Sequence, residues 1–191
     1  MYFGDGIEHS TCSLGFTLAV GAQGHTETWP ALLRAANRGD LKATRRAADP
    51  LDATAGRYGH SALHRAALHG YPLVVKHLVA VRAQVDQRDS EELTPIFMAA
   101  FSGHVEAAGA LEGRLPQVLK ALVPYGALSQ KDGSGATPLQ WAATQGHVAA
   151  VHYLLQQGLP ATARNSQGGG PVSAAATMGH SEVLEELAPR S

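Results

Sequence analysis

Ten histidines are the most reactive inventory in this 191-residue chain, and imidazole is both a common metal ligand and the side chain that titrates near neutrality. His60, His64 and His69 crowd together, while His104, His147 and His180 each follow a glycine. A metal site would need companions of a recognisable kind. No cysteine pair and no His-Glu-x-x-His accompanies these histidines, and the only cysteine, Cys12, stands in Thr-Cys-Ser-Leu-Gly. A lone cysteine of this sort is usually inert. Covalent catalysis lacks a Gly-x-Ser-x-Gly elbow, and nucleotide chemistry lacks both a phosphate loop and a dinucleotide fingerprint. Gly168-Gly169-Gly170 follows Asn165-Ser166-Gln167 with no lysine behind it, which reads as a turn. The residues therefore point away from an enzyme, a metal site or a cofactor.

What the histidines share is a period. Ala136-Thr137-Pro138-Leu139-Gln140-Trp141-Ala142-Ala143-Thr144-Gln145-Gly146-His147 returns as Ser61-Ala62-Leu63-His64-Arg65-Ala66-Ala67-Leu68-His69-Gly70 and as Thr94-Pro95-Ile96-Phe97-Met98-Ala99-Ala100-Phe101-Ser102-Gly103-His104. A worn fourth copy runs Gly170-Pro171-Val172-Ser173-Ala174-Ala175-Ala176-Thr177-Met178-Gly179-His180, and both Ser61 to Thr94 and Thr137 to Gly170 span 33 residues. Period and motif together resemble the ankyrin repeat, whose unit carries Thr-Pro-Leu-His-x-Ala. The resemblance covers roughly residues 29 to 188. It implies an all-α ankyrin-repeat solenoid of stacked helix–turn–helix units with short hairpin fingers, about four to five repeats including degenerate caps.

Bulk properties narrow the partners. A net charge of −1 and a pI near 6.8 give no basic field for nucleic acid or anionic lipid. One cysteine excludes an intramolecular disulfide and fits a reducing compartment. No apolar run approaches the roughly 18–20 residues that span a bilayer. The apolar stretch within Met1 to Val20 carries Asp5 and Glu8 with no lysine or arginine ahead of it, the reverse of a secretory signal. The expectation is an intracellular monomer, in the cytoplasm with the nucleus open to it, without membrane insertion.

Along the chain, residues 1–28 have no helical period and are expected to be disordered, with a weak alternation at Leu14, Phe16, Leu18 and Val20. Residues 29–191 form the repeat domain, with units near 29–55, 56–88, 89–131, 132–164 and 165–188. In the first, Ala31, Leu32, Ala35 and Ala36 make an apolar stripe, Gly39 breaks it, and Lys42, Arg45 and Arg46 suit the polar outer face of a cap. In the second, Ser61 can cap a helix, Pro72 can open the next, and Leu73, Val74, His77 and Leu78 are its candidate buried face. The third places Glu92 where the others have Gly59, Gly135 and Gly168, and it carries an insertion near 106–116. Gly113 and Pro116 argue for a helix ending near Gly113 and a fresh one from Pro116 to Pro124. Val148, Val151, Leu154 and Leu155 line the last full unit, and Glu182, Glu185 and Glu186 should face water in an eroded C-terminal cap.

The resemblance implies protein–protein recognition, with contacts on the hairpin tips and the concave side of the first helices. The residues ahead of each break glycine supply His69, then Phe101 and Ser102, then Thr144 and Gln145, then Met178. The turn positions add Tyr58, His60, Ser90, Glu91 and Leu93. Tyr58, Leu93 and Phe101 are expected to form an exposed aromatic patch. Three further readings stand beside this one. The chain can be the targeting or regulatory module of a larger signalling or modifying enzyme, or a scaffold with no specific ligand. The last is metal or small-molecule binding, which predicts a ligand-dependent shift in melting temperature.

Overall fold

The structure, a computed structural model, describes residues 29–102, 114–123 and 130–188. The segments at 1–28 and 103–113, where disorder and a first inserted helix are expected, lie outside the described residues. In chain order the elements are α1 (Ala31–Arg38), α2 (Leu41–Arg46), β1 (Thr54–Ala55), β2 (His60–Ser61), α3 (Ala62–Leu68), α4 (Pro72–Ala80), α5 (Pro95–Phe101), α6 (Arg114–Leu122), α7 (Pro138–Thr144), α8 (Val148–Gln156), α9 (Pro171–Met178) and α10 (Ser181–Leu187). The helices pair off, and the pairs stack. The odd-numbered helices pack neighbour on neighbour from α1 to α9, and the even-numbered ones do the same from α2 to α10. Strands β1 and β2 pair antiparallel, Thr54 opposite Ser61 and Ala55 opposite His60.

Local chemistry sets these boundaries. Ser61 accepts from the His64 amide at the start of α3, while Pro72, Pro95, Pro138 and Pro171 open their helices where a missing N–H costs nothing. Four of the helix pairs turn over at a glycine such as Gly146, at φ 77°, a conformation that side chains with a Cβ rarely adopt. A Cβ on Gly146 would also lie 2.7 Å from Nδ1 of His180 in the next repeat, and one on Gly39 would lie 2.7 Å from the ring of Tyr71. His147 and His180, each following such a glycine, are thus stitches. His180 Nε2 donates to the Thr144 carbonyl at 3.0 Å and His147 Nε2 to the Phe101 carbonyl at 3.2 Å.

The core runs between the two rows. Every residue of α5 from Pro95 to Ala100 is buried, and Phe97 sits edge-on to Trp141 with ring centres 6.4 Å apart. Some expected faces are rotated. In α1 it is Leu32, Leu33, Ala35 and Ala36 that are buried, with Ala31 exposed, because α1 packs on α2 and α3 at once. In α4 the buried set is Val74, Val75, Leu78 and Val79, and Leu73 is 63% exposed. That helix is clasped by α2, α3 and α6, so its buried arc is turned by one residue from the expected one. Helix α6 starts at Arg114, two residues before the expected Pro116, and it buries Val118, Leu119 and Leu122. Glu182 and Glu185 are exposed, but Glu186 is half-buried with Oε1 at 2.6 Å from His152 Nδ1. Among the described residues no helix is long and apolar enough to cross a membrane.

Candidate recognition surface

Three of the hairpin tips are built around one side-chain oxygen each. Oδ1 of Asp89 accepts from the Glu91 and Leu93 amides, both at 2.9 Å. Oδ1 of Asp132 accepts from the amides of Ser134 and Ala136 at 2.9 and 2.8 Å, and Oδ1 of Asn165 from those of Gln167 and Gly169 at 3.1 and 2.8 Å. The tight turn demands positive φ, supplied by Gly135 and Gly168 and, as the sequence flags, by Glu92 at φ 60°. Two pairs of adjacent tips are then tied together. Ser90 donates through Oγ and its amide to the Tyr58 carbonyl at 3.1 and 3.0 Å, and Ser166 does the same to the Ser134 carbonyl at 2.6 and 2.9 Å.

The second aspartate oxygen reaches inward. In one tip Asp132 Oδ2 accepts from Trp141 Nε1 at 2.8 Å. In another, Asp89 Oδ2 faces His60 Nε2 at 3.1 Å, both side chains buried. Burial would raise the Asp89 pKa, but the His60 contact and the Leu93 and Glu91 amides outweigh it and hold the carboxyl below its usual range. Beneath lies His64, stacked on His60 with ring centres 5.6 Å apart. Its Nε2 donates to the Leu93 carbonyl at 3.0 Å, which leaves Nδ1 to accept from the Ser61 amide at 3.2 Å. The ring thus brackets two neighbouring turns.

The structure sorts the expected binding residues into three groups. Leu93, His60 and Thr144 are buried at 1%, 3% and 4% exposure, so they offer no surface. Leu93 lies under its tip as the acceptor for His64, His60 fills a core slot equivalent to Leu93 and Ala136, and Thr144 donates to the Gln140 carbonyl at 2.8 Å. The exposed patch of Tyr58, Leu93 and Phe101 is therefore not formed. Tyr58 is half-buried against the His60 ring, and Phe101 is half-buried edge-on to Trp141 at 5.5 Å. At the tips Ser90 is exposed but engaged, and Glu91 is half-buried, its carboxyl pushed up by burial and by Asp89.

The third group makes a row. His69, Ser102, Gln145 and Met178 each stand one residue before a break glycine, half-buried except for the exposed Met178. His69 Nε2 donates to Asn37 Oδ1 at 3.0 Å, and Ser102 Oγ donates to the Ala67 carbonyl at 3.3 Å. Sequence reasoning missed the arginines that belong to the same surface. Arg38 precedes Gly39 in the first unit, and Arg34 and Arg65 hold the variable position of the motif on α1 and α3. Alignment on the break glycine, already in hand, locates all three. Arg65 lies 4.5 Å from the centre of the Trp29 ring with its Nε buried and without an acceptor. For metal chemistry, no group of three or more ligating side chains is gathered among the described residues.

Comparison with known families agrees with this architecture. A family model for ankyrin repeats in three copies matches residues 107–191, and one for the single ankyrin repeat matches residues 58–90. The chain belongs to the ankyrin-repeat family, whose members are generally protein–protein interaction modules. No curated protein matches the chain.

Proposed function

We propose that this chain is a recognition module that holds a protein or peptide partner along the row Arg38, His69, Ser102, Gln145 and Met178 and on the adjoining hairpin tips. The observation that carries this reading is the pre-ordering of that surface. Ser90 ties one pair of adjacent tips and Ser166 another, and the row is anchored through Asn37 and the Ala67 carbonyl. A surface already held in place loses little ordering entropy when a partner docks.

The test is affinity capture from cell extract with the native chain and with a Gln145→Arg/Met178→Arg variant that keeps native circular dichroism. Proteins captured by the native chain and lost by the variant support the row as the binding surface. Identical captures by both forms move the site off the row, and no capture by either favours the scaffold reading.

A further inference from the structure

The five inner helices α1, α3, α5, α7 and α9 are nearly free of charge. Arg34, Arg38 and Arg65 are the only charged residues in them, all on the first two helices, and no aspartate or glutamate occurs in any of the five. Arg34 and Arg38 are four residues apart and share one face of α1. Arg65 stands at the equivalent of Arg34 on the packed neighbour α3.

None of these guanidiniums has a carboxylate partner among the described residues. The acids close to α1 in sequence are otherwise employed. Asp40 accepts from the Ala43 amide at 2.9 Å, Asp49 from the Leu32 amide at 2.8 Å, and Asp52 from the Gln84 amide at 3.3 Å. Arg65 is the most telling of the three, with its half-buried guanidinium stacked on Trp29 and its Nε left as a buried donor without an acceptor. No acceptor among the described residues holds the guanidinium back through that nitrogen, and a planar guanidinium fits a carboxylate with two parallel hydrogen bonds.

We propose that the partner on the inner-helix row is a protein segment with an acidic end, its carboxylates seated on Arg34, Arg38 and Arg65 and its uncharged remainder running toward Gln145 and Met178. This rests on the row being the recognition surface, and it adds the partner's chemistry and direction. A carboxylate-bearing peptide is favoured over nucleic acid because the chain as a whole is at −1, so the cationic end is a local feature and not the field a phosphate backbone requires.

The test measures fluorescence anisotropy of a labelled twelve-residue peptide, Glu-Glu-Asp-Glu followed by eight uncharged residues, against the full chain at 0.15 M salt. A twin peptide carries Gln and Asn in place of the acids. The acidic peptide should bind at least about tenfold more tightly than its twin, and Arg65→Gln should cost about tenfold. Arg65→Lys, which keeps the charge but not the planar fork, should fall between. A Lys42→Gln/Arg45→Gln/Arg46→Gln variant removes exposed cations of α2 that lie off the row, and it should change affinity less than about twofold.

Equal binding of the two peptides overturns the acidic preference while leaving the capture experiment, which reads the uncharged end of the row, to decide the surface. A loss in the α2 variant as large as that in Arg65→Gln also overturns the proposal, since any cation would then serve. Tighter binding of duplex DNA or of phosphatidylserine vesicles through the same arginines replaces it with a different partner class. Unchanged circular dichroism and melting temperature in each variant keep these readings separate from loss of fold.

Discussion

At the scale of single residues, His64 shows how a polar group becomes structural by being kept neutral. Burial drives its pKa from 6.5 down to about 4, against the opposing pull of the Leu93 carbonyl, while His60 and Arg65 push the same way as burial and Asp89 opposes it. The folded pKa is below the unfolded one, so folding favours the neutral ring. That stability is complete above pH 6.5 and is lost as pH falls toward 4. A shift of this size corresponds to about 3 kcal/mol at the acid limit. The physical reason is in the contacts, because protonating Nδ1 destroys the acceptor for the Ser61 amide. Urea unfolding at pH 7, 5.5 and 4.5 should show the native chain weakening steeply over that interval. A His64→Gln variant should start lower at pH 7, having lost the bracket, and show a flatter profile. An unchanged slope in the variant would assign the acid sensitivity to other groups.

At the scale of elements, the stitch of His180 across Gly146 governs how two helix pairs fit. Gly146→Ala combines a left-handed backbone, which costs roughly 1–2 kcal/mol for a residue with a Cβ, with a clash at 2.7 Å from the His180 ring. The expected loss is more than about 2 kcal/mol in chemical denaturation. The same change at Gly179, where nothing lies within 4 Å of an added Cβ, should cost only the backbone part. Equal losses at the two glycines would show that the packing of His180 contributes nothing. These glycines, the prolines at helix starts and the Ser61 cap were legible in the sequence because each acts within a few residues of itself. Positions decided by a neighbouring element were not. Leu73 and Val75 are both apolar, and only the seating of α4 against α2 and α6 decides which is buried. Leu93 reads as an exposed turn residue until the His64 bracket pulls its tip inward. The arginines of the inner row were visible as letters, yet their meaning depends on Asp40, Asp49 and Asp52 being already bound to backbone amides.

At the scale of the whole molecule, each repeat touches its neighbours and little else, so stability is a sum of units and interfaces along a line. The two ends of that line differ from its middle. Phe97 is fully buried between repeats on both sides, whereas Val183 is buried in α10, a helix that packs on α8 and α9 at the last pair. Truncation at either site opens a cavity, costing about 3–5 kcal/mol for Phe97→Ala and about 2 kcal/mol for Val183→Ala. Where that loss is felt should differ more than its size. Hydrogen exchange should show Val183→Ala exposing the amides of α9 and α10 while α3 and α5 keep their protection, and Phe97→Ala should lower protection through the whole array. A uniform drop in both variants would mean that the array unfolds as one unit. The distinction bears on recognition, because Met178 sits on α9 at the uncharged end of the row and the arginines sit at the other. A terminal pair that opens alone would release the partner's uncharged end while the acidic end stays seated. On the proposed row, Val183→Ala should then weaken binding of a full-length partner and leave unchanged the affinity of a peptide cut to the four acidic residues that seat on α1 and α3.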